Sequence, residues 1–114
     1  MSRPGRLRKG AEFDGAFKEG SVIAGPLLVF RYGAGTGGGP RWGFAVGKKL
    51  AKKSVTRNAV RRRMRAAAWR LEGIPARDIV VVARGRALSA TVAEFEREMS
   101  QVARRAGWIG RREA

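Results

Sequence analysis

The sequence predicts an α+β fold, a small α/β sandwich in the order α-β-β-β-α-β-α, with a four-stranded sheet packed by helices. Three observations carry that expectation. "DIVVVA" at 78–83 is a nearly unbroken β-branched run, suited to a central strand buried on both faces. Two more stretches rich in β-formers, 26–32 and 41–47, flank a glycine-rich segment. Residues 54–72 and 89–107 carry apolar side chains at helical spacing. At 114 residues, such a chain makes one domain around one modest core.

A basic arm, 1–8, comes first. Residues 10–19 fit a short helix in which Phe13 and Phe17, four apart, share a face, with Gly20 as its stop. "SVIAG" at 21–25 can form a short strand. In "PLLVFRY" at 26–32, alternation points Leu28, Phe30 and Tyr32 one way and Leu27, Val29 and Arg31 the other. "GAGTGGGP" at 33–40 reads as a hairpin loop that returns the chain into 41–47. The helix at 54–72 has Ser54 or Thr56 as cap, and Gly73 with Pro75 end it. Passing from a strand through that helix into 78–83 implies a parallel pair. The last helix is amphipathic through Val92, Phe95, Met99, Val102 and Ala106. The tail, 107–114, carries no pattern, and no segment repeats.

Charge narrows the function. Twenty-five Lys and Arg against nine Asp and Glu give a net charge of +16 and a pI near 11.9. Such an excess is usually matched to a polyanion, because neutralising phosphates releases condensed counterions. No apolar run reaches the roughly 18 residues that span a bilayer. "MSRPGRLRKG" lacks the apolar core of a secretory signal, so a cytoplasmic protein with no membrane partner is expected. The chain has neither Cys nor His. Disulfides, thiolate nucleophiles and the commonest neutral-pH base are therefore missing, and no residue qualifies as catalytic.

The cations are sorted. Residues 48–71, "KKLAKKSVTRNAVRRRMRAAAWRL", hold ten Lys or Arg, and no acid lies between Arg41 and Leu71. On a helical wheel Val60, Met64, Ala67, Ala68 and Leu71 fall within an arc of about 100°. Arg57, Asn58, Arg61, Arg62 and Arg65 cover an adjoining arc of about 140°, with Trp69 on its line; Arg63 and Arg70 lie on the far side. A charge run is usually a solvated helix face. Here the acidic i, i+4 partners of an ordinary exposed helix are absent, which favours an external ligand. Arginine's planar fork suits phosphate and base edges, and Asn58 adds both a donor and an acceptor.

"GFAVGKKLAKKSVTRNAVRRRMR" resembles the signature of the bacterial ribonuclease P protein subunit, in which a strand ends in paired lysines and a basic helix follows. "RLRKGAEFDGAFKEG" is similar to that family's opening segment and "ARDIVVVARG" to its last strand, so the likeness covers roughly residues 6–106. It implies a left-handed βαβ crossover, against the usual right-handed rule. It implies a protein that assists a catalytic RNA in Mg²⁺-dependent removal of the 5′ leader from precursor tRNA, leaving a 5′-phosphate. The metal would be held by the RNA and not by the protein alone, and no further protein partner is required. Lys48, Lys49, Lys52, Lys53, Arg57, Asn58, Arg61, Arg62 and Arg65 would meet the catalytic RNA. Ala59 departs from the family's usual Arg and faces away from that arc.

The resemblance also implies a leader cleft between the first helix and the sheet. Phe13 and Phe17 would line it from the helix, and Phe30 or Tyr32 from the sheet, stacking unpaired bases. Phenylalanines four apart are more often core than base platform. Phe44 and Phe95 are expected in the core. The alternatives are a ribosomal or other structural RNA-binding protein, an architectural DNA-binding protein, and a nuclease using Glu12 with Asp14 or Glu94 with Glu98 as metal ligands.

Overall fold

The computed structural model describes residues 5–6, 21–34, 39–74 and 77–108. Five strands form one sheet: β1 (Gly5–Arg6), β2 (Ser21–Ala24), β3 (Leu28–Ala34), β4 (Arg41–Ala45) and β5 (Arg77–Ala83). Their spatial order is β1-β4-β5-β3-β2. Helix α1 (Ser54–Trp69) lies between β4 and β5 in sequence. A 3₁₀ turn (Gly85–Ser89) and helix α2 (Val92–Arg105) follow β5. The helix expected at 10–19 falls outside the described residues.

The β-branched run takes the central place expected of it. β5 pairs in parallel with β4 and antiparallel with β3, and Ile79, Val80 and Val81 are fully buried. Thus α1 joins two parallel neighbours, the crossover unit that the order implied. The hairpin expectation is corrected. β3 and β4 do not pair, because β5 lies between them. The hairpin comes one element earlier, where β2 and β3 pair antiparallel and Gly25 N–H bonds the Leu28 carbonyl at 2.8 Å. β1, inside the segment expected to be an arm, adds a two-residue parallel edge to β4.

Registers divide the sheet into two faces. Leu28, Phe30, Trp42, Ile79, Val81 and Ala83 pack with Val60, Met64, Ala67 and Ala68 of α1 and with Phe95, Met99 and Val102 of α2. The apolar stripe of α1 is therefore the one its sequence period predicts. The opposite face carries Val29, Arg31, Gly43, Ala45, Val80 and Val82. On that face Arg41 donates from Nε and Nη2 to the two carboxylate oxygens of Asp78, at 2.9 and 2.8 Å, tying β4 to β5.

Helix ends are finished differently from expectation. α1 starts at Ser54 with Lys53 as N-cap and no side-chain cap bond, so neither Ser54 nor Thr56 serves. α2 starts after Thr91, whose hydroxyl accepts from Glu94 N–H while Glu94 accepts from Thr91 N–H, a complete capping box.

Candidate nucleic-acid interface

The turn between β4 and α1 is anchored by its apolar residues and presents its charged ones. Val46 and Ala51 are buried and Leu50 packs against the core. Leu50 and Ala51 both donate to the Gly47 carbonyl, at 3.1 and 3.3 Å, which closes the turn. Lys48, Lys49, Lys52 and Lys53 are exposed around it, with Val55 beside them 75% exposed in the first turn of α1. Among the described residues none of the four lysine ammonium groups has a hydrogen-bonding or ionic partner.

The arginines of α1 do not share one role. Arg62 is exposed and lacks a partner among the described residues. Arg61 donates to Oδ1 of Asn58 on the same outer face, one turn back. The guanidinium of Arg65 lies over the Phe44 ring, 5.8 Å from its centroid. Phe44 in turn stacks on Trp42, with centroids 6.0 Å apart and planes at 6°. Phe44 is thus half-buried at the core margin. Arg57 turns back, donating through Nη1 to the carbonyls of Ala51 and Lys52 at 2.9 and 2.8 Å. Arg63, on the far side, donates to the carbonyls of Ala90 and Leu88 at 3.0 and 2.9 Å and staples α1 to the segment before α2.

Of the residues expected in a leader cleft, Phe13 and Phe17 lie outside the described residues. Phe30 is corrected. It is 0% exposed on the face covered by both helices, so no base can reach its ring. Tyr32 shares that face and is half-buried, packed edge-on to Trp108 with centroids 4.7 Å apart. Arg31, between them in sequence, lies on the opposite face with Val29. Strand alternation had separated these two sets without telling which one the helices cover.

Four of the five carboxylates among the described residues are engaged in structural work. Glu98 is 5% exposed and accepts from Leu27 N–H at 3.1 Å and Leu28 N–H at 2.7 Å. Gly25 is required there, since a Cβ on it would come within 2.4 Å of Glu98 Oε2. Glu94 belongs to the capping box, Glu96 pairs with Arg70 at 3.2 Å and Asp78 holds Arg41. Among the described residues no group of three or more acidic, His or Cys side chains is placed to hold a metal ion. The Glu94–Glu98 nuclease alternative has no free pair of ligands, and Glu12 and Asp14 lie outside the described residues.

Comparison with known proteins bears on the chain as a whole. The family model described as Ribonuclease P matches residues 1–107. The ribonuclease P protein component of Brucella suis is 37% identical over 108 residues, covering 84% of this chain and 75% of that protein. That of Acidothermus cellulolyticus is 37% identical over 101 residues, covering 85% and 83%. The solved Staphylococcus aureus RNase P protein superposes with a TM-score of 0.78 at 26% identity, covering 96% of this chain and all of that one.

Proposed function

We propose the following assignment of surfaces for this chain, which belongs to the ribonuclease P protein family. Membership makes it the protein component of a ribonucleoprotein endoribonuclease whose catalyst is RNA. The Lys48–Lys53 turn and the outer face of α1, with Asn58, Arg61, Arg62 and Arg65, take phosphates of that RNA. One observation carries this reading: four exposed lysines and Arg62 sit on one contiguous turn and helix, and their charged groups have no partner among the described residues. Like charges crowded in this way repel, and a polyanion relieves the repulsion while its counterions gain freedom.

The leader of precursor tRNA is assigned to the sheet face that bears Val29 and Arg31, with Phe13 and Phe17 as its stacking residues. Support for that choice is the coverage of the other face, where α1 and α2 seal Phe30 away. Guanidinium groups and aromatic rings bind single strands without regard to sequence, as a leader of varied sequence demands. Magnesium belongs, in this proposal, to the RNA. The chain contributes positive charge and grip, and no proton transfer is asked of it. Among the described residues no helix is long and apolar enough to cross a membrane, and the place of action proposed is the cytoplasm.

Reconstitution tests the assignment. Added to a bacterial ribonuclease P RNA at low Mg²⁺, the protein should restore leader removal and favour precursor over mature tRNA. With about six phosphates engaged, log affinity for the RNA should fall against log salt with a slope near −4 to −5. Leader cleavage by the protein without RNA, or equal affinity for precursor and mature tRNA, would overturn it.

A further inference from the structure

We infer that Arg57 is a positioning residue, which holds the Lys48–Lys53 turn in its RNA-binding shape and does not itself act as a phosphate ligand. The inference rests on the assignment of that turn to RNA. Its basis is the direction of the side chain. Arg57 stands in the first turn of α1, on the same wheel arc as Arg61, Arg62 and Arg65. Its Nη1 points backward, away from that arc, and spends its hydrogens on the carbonyls of Ala51 and Lys52. Those two carbonyls lie inside the lysine turn, six and five residues earlier in the chain.

The turn has reason to need such a clamp. Four lysines crowd it, no acid lies between positions 41 and 71, and the helix it leads into has no side-chain cap. Without a brace, mutual repulsion drives the backbone at 51–53 open and spreads the ammonium groups. An ionised donor makes a stronger bond to a carbonyl than a neutral one. By placing that donor in the first helical turn, the chain couples the shape of the lysine array to the formation of α1. Arg62, five residues further on and without such bonds among the described residues, is the contrasting case of a cation left for the ligand.

A mutant cycle separates the two roles. Affinity for a bacterial ribonuclease P RNA transcript is measured for the parent, Arg57→Ala, Lys52→Ala with Lys53→Ala, and the triple variant, across a salt series. If Arg57 acts through Lys52 and Lys53, its loss lowers parent affinity about tenfold but lowers that of the double lysine variant less than about twofold, because interacting sites are not additive. Its effect on the salt slope should exceed the roughly 0.7 to 0.9 of one lost phosphate. Amide exchange at Ala51–Lys53 in the free protein should also quicken, a readout independent of RNA. Arg57→Lys keeps the charge without the planar fork and should resemble Arg57→Ala; it also carries the cycle if the alanine variant folds poorly. Equal losses in both lysine backgrounds, or parent-like behaviour of Arg57→Lys, would overturn the inference and leave the RNA face standing. Unchanged affinity in the double lysine variant would remove the RNA assignment of the turn, and the inference with it.

Discussion

Helices α1 and α2 lie side by side over one face of the sheet and finish their ends in opposite ways. α2 has a capping box at Thr91 and Glu94, an acid in its first turn, and Arg104 and Arg105 in its last. Each feature complements the helix dipole or an orphan backbone group. α1 has no side-chain cap, no acid in its first turn and four lysines just before or at its positive end. Both bury an apolar stripe of the predicted period, so both are held by packing. What differs is the polar surface. α2 is arranged for the stability of the free chain, whereas on the proposed assignment α1 leaves Arg62 and the lysines before it for a partner.

That contrast predicts a division of phenotypes. The largest expected effect lies on α2. Glu98→Ala leaves the Leu27 and Leu28 N–H groups without their acceptor and opens a space in the core margin. Urea unfolding should show a loss of about 2–4 kcal/mol, with RNA affinity per folded molecule unchanged. A drop in the affinity of the folded fraction would blur the comparison. Thr91→Ala breaks half of the capping box and should cost about 1 kcal/mol of stability by the same assay. Here too the salt slope of RNA binding should stay where it was; a shallower slope would place α2 in the interface.

Much of this was legible in the sequence, and the misses share a cause. The α1 stripe of Val60, Met64, Ala67 and Ala68 follows from the 3.6-residue period. The central place of β5 follows from its unbroken β-branched run. The β3–β4 hairpin failed because a glycine-rich link allows neighbouring strands or strands split by a third, and β5, nearly forty residues later, decides between them. Phe30 failed similarly. Alternation set it with Leu28 and Tyr32, but both faces of β3 are rich in apolar groups, and only the packing of distant helices shows which face is sealed. The wheel placed Arg57 correctly on α1 and could not see the carbonyls of Ala51 and Lys52, since it carries no information about the backbone outside the helix.

Lys53→Asp tests the central contrast most directly. At the N-cap of α1 an aspartate supplies the missing acceptor and suits the positive end of the dipole, while removing a cation from the exposed turn. The free protein should therefore gain about 0.5–1 kcal/mol in urea unfolding. Its affinity for the catalytic RNA should fall at the same time, with a salt slope shallower by at least about 0.7. Stability and binding moving in opposite directions is the predicted result. A variant that binds the RNA with parental affinity and an unchanged slope would contradict the account.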